Sequence, residues 1–317
     1  MDKKQTILVT GAGGATAKKV ITQLQGEYNI IAVDFRRQIK LGKDIPSYLV
    51  DINKRGFEDI FRNHDIDGVI HLGRLGTHGS NKKSRRSRYN TNVLGTQRLL
   101  ERCRKYSVKQ VLIMSTFFVY GADAYNPALL DEDTPLKAAE LTLDLVDSVE
   151  LENLANIYLY KYPELNITIL RPCHIAGPGI RNSMSALLSS KKAPVLAGFS
   201  PMMQFIHVDD VAEATAAAYR GNKPGIYNLA PDDYVAYQDA LVASGCKRRY
   251  LPSVPPLLPA TISKVMGSRA FPSYLINYFK YPVVIDGRLF KDTFGFEPKR
   301  GFKDIFSYYR KQKELLK

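Results

Sequence analysis

The sequence has too few cysteines for a disulfide framework, and none of them are close together. Cys103, Cys173 and Cys246 are odd in number and far apart, so reduced, buried thiols are the expectation. No apolar run is long enough to cross a bilayer. The opening stretch passes from a short polar leader into Thr6-Ile7-Leu8-Val9, too brief for the apolar region of a signal peptide. Stable membrane insertion is therefore not expected, and a cytoplasmic location follows by elimination. No histidine has the spacing of a metal-ligand set, so no metal is expected. Internal repeats and low-complexity tracts are also missing.

What is present is a chain of 317 residues, 45% of them apolar, enough to bury a core without disulfides or metal. Its formal net charge is +14. Such a charge fits nucleic acid, an anionic membrane surface, phosphorylated ligands, or simply a basic proteome. Basic residues gather in Lys82-Lys83-Ser84-Arg85-Arg86-Ser87-Arg88 and at the C-terminus. No zinc finger or RNP motif accompanies them, so nucleic acid is not expected as a partner.

Through the first half, strand-like runs alternate with helical patterns, the signature of a parallel sheet with crossover helices. Strands are expected at 6–9, 29–33, 48–52, 68–72, 111–115 and 167–170. Long helices are expected from 85 to about 106 and from about 138 to 160. After Arg171-Pro172 the elements shorten and prolines become denser. The expected fold class is α/β: a Rossmann-type doubly wound parallel sheet over 1–175, with a smaller mixed C-terminal substrate lobe over 176–317. Residues 204–230 are expected to contribute back to the first domain. The apolar, proline-rich stretch 251–281 could cap a cleft or simply pack.

Gly11-x-x-Gly14-x-x-Ala17 lies between a strand and a helix, where a phosphate-binding turn belongs. Glycines here, Gly13 included, let the backbone approach a pyrophosphate, and the helix start offers free N–H groups and partial positive charge. No Gly-Lys-Ser/Thr follows, which excludes a Walker loop. Asp34, about twenty positions on, can accept from ribose hydroxyls and repel a 2′-phosphate. NAD is the expected cofactor. Arg36 and Arg37 follow directly and keep NADP as the alternative.

Further segments add to this pattern: His71-Leu72-Gly73, Asn92-Val93-x-Gly95-Thr96, Ser115-Thr116-Phe117-Phe118-Val119-Tyr120-Gly121, Leu170-Arg171-Pro172 with Gly177-Pro178-Gly179, Phe205-Ile206-His207-Val208-Asp209-Asp210-Val211-Ala212, and Phe294-Gly295-Phe296-Glu297-Pro298. On these residues the chain resembles, over nearly its whole length, the extended short-chain dehydrogenase/reductases, the nucleotide-sugar epimerases and dehydratases. The resemblance implies cofactor contacts from Ala15, Thr16, Phe35, Asp51, Ile52, Leu72, Gly73, Asn92 and Pro172 besides the glycines, Asp34 and Arg36. It also implies a small-molecule substrate such as a nucleotide-sugar, and a homodimer built on the two long helices.

In that family a Ser/Thr after the fifth strand works with a Tyr-x-x-x-Lys on the next helix. The tyrosine is the acid/base, and the lysine binds the nicotinamide ribose and lowers the tyrosine's pKa. Thr116 stands at the Ser/Thr position. Aligning the family's following glutamate with Glu152 puts Ser148 at the lysine and Asp144 at the tyrosine, so the pair is absent. The literal matches Tyr219…Lys223 and Tyr309…Lys313 fall in the wrong places.

Thr116, Asp144, Ser148 and His174 are the catalytic candidates. Arg85, Arg88, Thr116, His174 and Arg181 are the substrate-binding candidates, the arginines for a diphosphate. His71 and His207 read as structural, His207 capping and positioning the helix that follows, with Asp209 or Asp210 at its N-cap. Two functions compete: an NAD(P)-dependent oxidoreductase with a rearranged acid/base group, and a dinucleotide-binding protein without turnover. Docking of the basic loop and tail on nucleic acid or anionic lipid is a weaker third.

Overall fold

Strand β1 (Thr6–Thr10) sends Ile7 and Val9 into one apolar core and Leu8 into another. That is the period of two that a strand covered on both faces requires. The computed structural model describes residues 4–36, 39, 41–42, 44–76, 81–252 and 276–315. Arg37 and most of the proline-rich stretch, residues 253–275, lie outside them.

Six further strands join β1: β2 (Asn29–Asp34), β3 (Ser47–Leu49), β4 (Gly68–His71), β5 (Gln110–Met114), β6 (Asn166–Pro172) and a returning strand, Gly225–Leu229. The sheet order is returning strand, β6, β5, β4, β1, β2, β3, parallel throughout. The order reverses between β1 and β4, and ligand crevices in such sheets form outside the strand ends at that point.

One face is covered by α1 (Ala15–Leu24) and by the helix Val208–Gly221; its core includes Val20, Ile21, Leu24, Val211 and Ala214. The other is covered by α2 (Gly56–Asn63), with Phe57, Ile60 and Phe61 inward, and by two later helices.

Those two later helices differ from their expected form. The basic run folds as α3 (Lys82–Tyr89), capped by the Asn81 side chain, which accepts from Ser84 N at 2.8 Å. A turn of π-helix, Asn90–Leu94, then joins it to α4 (Gly95–Lys105). The other expected helix is split into α5 (Ala138–Leu141) and α6 (Val146–Lys161). Thr142 breaks it: the residue is extended, its hydroxyl accepts from Asp144 N at 3.3 Å, and its carbonyl accepts from Leu145 N. A hydroxyl that binds nearby backbone competes with the helical ladder.

The expected third strand also ends early, because the Asp51 carboxylate takes Asn53 N at 2.9 Å and turns the chain.

Smaller elements complete the C-terminal part. Strand Lys192–Leu196 pairs with Lys247–Leu251, and His174–Ala176 with Phe205–His207. His207 itself, rather than Asp209 or Asp210, caps the helix Val208–Gly221 by accepting from Asp209 N. The last helix, Phe302–Glu314, is pinned by two residues of a literal Tyr-x-x-x-Lys. Tyr309 Oη accepts from Gly177 N at 3.0 Å, and Lys313 Nζ donates to the carbonyls of Leu188 and Ser244. Both side chains are buried and structural. Among the described residues no helix is long and apolar enough to cross a membrane.

Candidate active site

A cavity of about 560 Å³ opens at the strand ends where the sheet order reverses. One end is built by the glycine turn. Gly11 has φ +69°, and a β-carbon on it would lie 2.7 Å from Gly73 Cα. The turn after β1 and the turn after β4 therefore meet backbone to backbone, which only glycine permits. Gly14 starts α1 without any side-chain cap, leaving the first-turn N–H groups to the cavity that Gly14 and Ala15 line.

Asp34, at the end of β2, is almost fully buried and faces the same space. Its Oδ2 accepts from Gly13 N at 3.0 Å and its Oδ1 from Arg36 N at 2.9 Å. Gly13 thus acts by holding Asp34. The Arg36 guanidinium lies 4.9 Å over the Phe35 ring. Phe35, Val33, Val50 and Ile52 form an apolar wall beside them.

Behind this wall, His71 joins three elements. Thr10 Oγ accepts from Gly73 N and lies 2.6 Å from His71 Nδ1; His71 Nε2 lies 3.0 Å from Thr96 Oγ, which donates to Asn92 O. Every donor and acceptor is matched if the ring is neutral with its proton on Nε2. Burial, helped by the nearby Arg74 charge, holds its pKa down to about 4. His71 is a structural joint.

The opposite end of the cavity carries Ser115, Thr116, Phe117, Phe118, Ser148, Pro172 and His174, with Leu72 and Gly73 between the two ends. Thr116 follows β5, its hydroxyl accepting weakly from Phe118 N at 3.4 Å. His174 packs among Phe117, Phe118 and Phe205, and burial pushes its pKa down to about 3. Its imidazole is neutral at physiological pH. Arg181 borders the cavity with an exposed side chain.

Several expected contacts fall elsewhere. Asp144 does not line the cavity: it is buried against Arg88 Nη2 at 3.2 Å, with Arg85 Nη1 at 3.8 Å. Arg88 also holds Asp147 at 3.3 Å, so its charge is balanced inside the protein although its side chain reaches the cavity wall. Arg85 does not line the cavity. Asn92 spends its amide on Leu75 and on Asp147 Oδ2, the latter at 2.6 Å. Asp51 is committed to its turn, and Thr16 is not in the wall.

A buried polar network supports the Thr116 end. Ser115 Oγ donates to Glu152; Arg171 Nε donates to Glu152 at 2.5 Å; Arg171 Nη1 donates to Tyr120 Oη at 2.7 Å; and Tyr120 Oη donates to Asn228 at 2.7 Å. Burial alone would lower the Arg171 pKa, but Glu152 and Tyr120 together outweigh it and hold the group above its ordinary value. Sequence reading gave none of these residues a site role: Ser115, Tyr120 and Arg171 lie in quoted motifs, Glu152 served only to align the helix, and Asn228 carried no signal. Arg74 was also missed. It lines the cavity and donates to Ser148 Oγ at 2.8 Å, and its one signal was a charged residue directly after His71-Leu72-Gly73.

Comparison with known proteins adds findings from a family, from two relatives and from two solved structures. The family described as the NAD dependent epimerase/dehydratase family matches residues 7–230. An uncharacterized protein of Mycobacterium tuberculosis is 24% identical over 318 residues, covering 96% of this chain and 83% of that one. The dTDP-D-glucose 4,6-dehydratase of Dictyostelium discoideum is 25% identical over 271 residues, 74% of this chain and 60% of the relative. Among solved structures, the UDP-glucose-4-epimerase of Stenotrophomonas maltophila with bound NAD and formylated UDP-arabinopyranose has a TM-score of 0.79 at 18% identity, covering 98% of each chain. MoeE5 in complex with UDP-glucuronic acid and NAD has a TM-score of 0.78 at 22% identity, covering 98% of this chain and 100% of that one. These two structures share the fold of this chain.

Proposed function

The chain belongs to the NAD-dependent epimerase/dehydratase family, and from that premise we propose that it binds NAD and carries out oxidoreductase-type chemistry on a small molecule of the nucleotide-sugar class. The observation that carries this reading is one continuous cavity, with Gly11, Gly14, Ala15 and Asp34 at one end and Thr116, Ser148 and His174 at the other.

The residues fit the dinucleotide. The uncapped start of α1 suits a pyrophosphate. The Asp34 carboxylate, buried and facing the cavity, suits the adenosine ribose diol and disfavours a 2′-phosphate. Val33, Phe35, Val50 and Ile52 suit the adenine. Bound there, NAD supplies an acceptor for the electron pair of a substrate C–H bond.

On the protein's side, Thr116 orients the reacting hydroxyl, and neutral His174 offers a hydrogen bond to the same oxygen. Arg181, exposed at the cavity's border, is the group we assign to a substrate phosphate. Asp144, locked to Arg88, is set aside as the proton carrier. A homodimer through exposed apolar residues of α6 such as Ile157 and Tyr160 belongs to this proposal, and light scattering of the purified protein checks it.

The test is calorimetric titration with NAD and NADP, followed by product analysis with a panel of UDP- and dTDP-sugars. We expect binding with preference for NAD, and conversion of at least one sugar that falls at least tenfold in Thr116→Ala. Binding without conversion across the panel would leave the dinucleotide as a bound ligand only. No binding would remove the reading altogether.

A further inference from the structure

Ser148 stands where the resembled family carries its lysine, and its side chain is too short to bring a charge into the cavity. The space beyond it is filled from another part of the chain. Arg74, directly after the Gly73 that meets Gly11, extends along the wall and donates from Nη2 to Ser148 Oγ at 2.8 Å. The guanidinium therefore sits one hydrogen bond beyond the serine.

Charge balance around Arg74 is unlike that of its neighbours. Arg88 is matched by Asp144 and Asp147, and Arg171 by Glu152. Among the described residues no carboxylate lies within ion-pair distance of Arg74, and Ser148 is its hydrogen-bond partner. Asp147 and Glu152 are near enough to act on its charge electrostatically. Both are committed, Asp147 to Arg88 and Asn92, and Glu152 to Arg171 and Ser115. Arg74 is thus a cation in the cavity wall, with most of its N–H donors not taken by the described residues. Its placement is rigid, because the turn that carries it is held by the His71 joint and by the Gly11–Gly73 contact.

We propose that Arg74 takes over the cofactor-binding half of the missing lysine, hydrogen-bonding the nicotinamide-side ribose of a bound NAD while Ser148 holds its guanidinium in place. This rests on the reading of the cavity as an NAD site. A guanidinium can donate to a ribose diol in a fixed fork, but it does not release a proton near neutral pH. The substitution therefore restores the contact and the charge, and leaves proton transfer to other groups.

The test compares NAD with ADP, which shares the adenosine and pyrophosphate but lacks the nicotinamide ribose. Calorimetric titration of Arg74→Met is expected to show at least tenfold weaker NAD binding and unchanged ADP binding. Adding Ser148→Lys to that variant is expected to recover most of the NAD affinity. Should Arg74→Met fail to fold, Arg74→Lys carries the same comparison, its shorter reach weakening NAD and not ADP. Equal losses for both ligands, or none for either, overturn the assignment while wild-type NAD binding stands. A wild-type protein that binds no NAD overturns the underlying reading and this assignment with it.

Discussion

Arg88 Nη2 lies 3.2 Å from Asp144 Oδ1, and both side chains are sealed from solvent. Asp144 is therefore an internal counter-ion. Asp144→Asn is expected to leave the pH dependence of any turnover unmoved. It is also expected to lower unfolding stability by up to roughly 3–5 kcal/mol, the cost of stranding a buried charge, moderated by Asp147. Urea unfolding together with a pH–rate profile checks both halves; a shifted profile would return Asp144 to the reaction.

Gly11 meets Gly73 so closely that a single methyl group has no room, and its φ of +69° disfavours any side chain. Gly11→Ala is expected to cost at least roughly 1–2 kcal/mol from backbone conformation alone and to abolish dinucleotide binding. A thermal melt with and without NAD reads this directly. Retained stabilisation by NAD would mean the turn is not the phosphate site.

On the proposed reading, Asp34 offers a bound NAD a carboxylate acceptor. Hydrogen bonds to charged groups contribute roughly 1.5–3 kcal/mol, so Asp34→Ser is expected to weaken NAD binding by about 10- to 100-fold. It should also narrow the preference over NADP, since the repelling carboxylate is gone and Arg36 remains. Titration with both nucleotides measures the ratio; an unchanged ratio counts against this role.

Burial holds His71 and His174 at pKa values of about 4 and about 3, both below the ordinary 6.5. Above pH 6.5 each is neutral folded and unfolded, so stability does not vary with pH through them. As pH falls below 6.5, the unfolded chain takes up protons that the folded chain refuses, and stability drops until the folded pKa is reached. His174→Phe, which suits the surrounding Phe117, Phe118 and Phe205, is expected to reduce this acid slope by about 1.4 kcal/mol per pH unit. Denaturant melts between pH 4 and pH 7 would show it.

Glu152 and Arg171 form a fully buried pair beneath Ser115. Glu152→Gln keeps the shape but strands the Arg171 charge, with an expected loss of roughly 3–5 kcal/mol. A loss under 1 kcal/mol in urea unfolding would show the network to be dispensable.

Much of this protein could be read along the chain because the features involved are local. The glycine turn, the acid at the end of β2 and the apolar strand runs follow from backbone conformation and from side-chain alternation over a few residues. They were enough for the parallel sheet and for the glycine-turn end of the cavity. The helix breaks were harder to see. One depends on the Thr142 hydroxyl competing for backbone N–H groups, and the other on a π-turn that brings Asn92 to Asp147.

What lay beyond sequence reasoning was the pairing of charges distant in the chain. Composition shows many arginines, but not which of them are neutralised. That depends on which loops the sheet brings to the same strand ends. Tertiary structure matched Arg88 to Asp144 and Asp147, and Arg171 to Glu152. It left Arg74 facing the cavity beside Ser148, because charge in a poorly hydrated interior is governed by the nearest partner in space and not by position in the sequence.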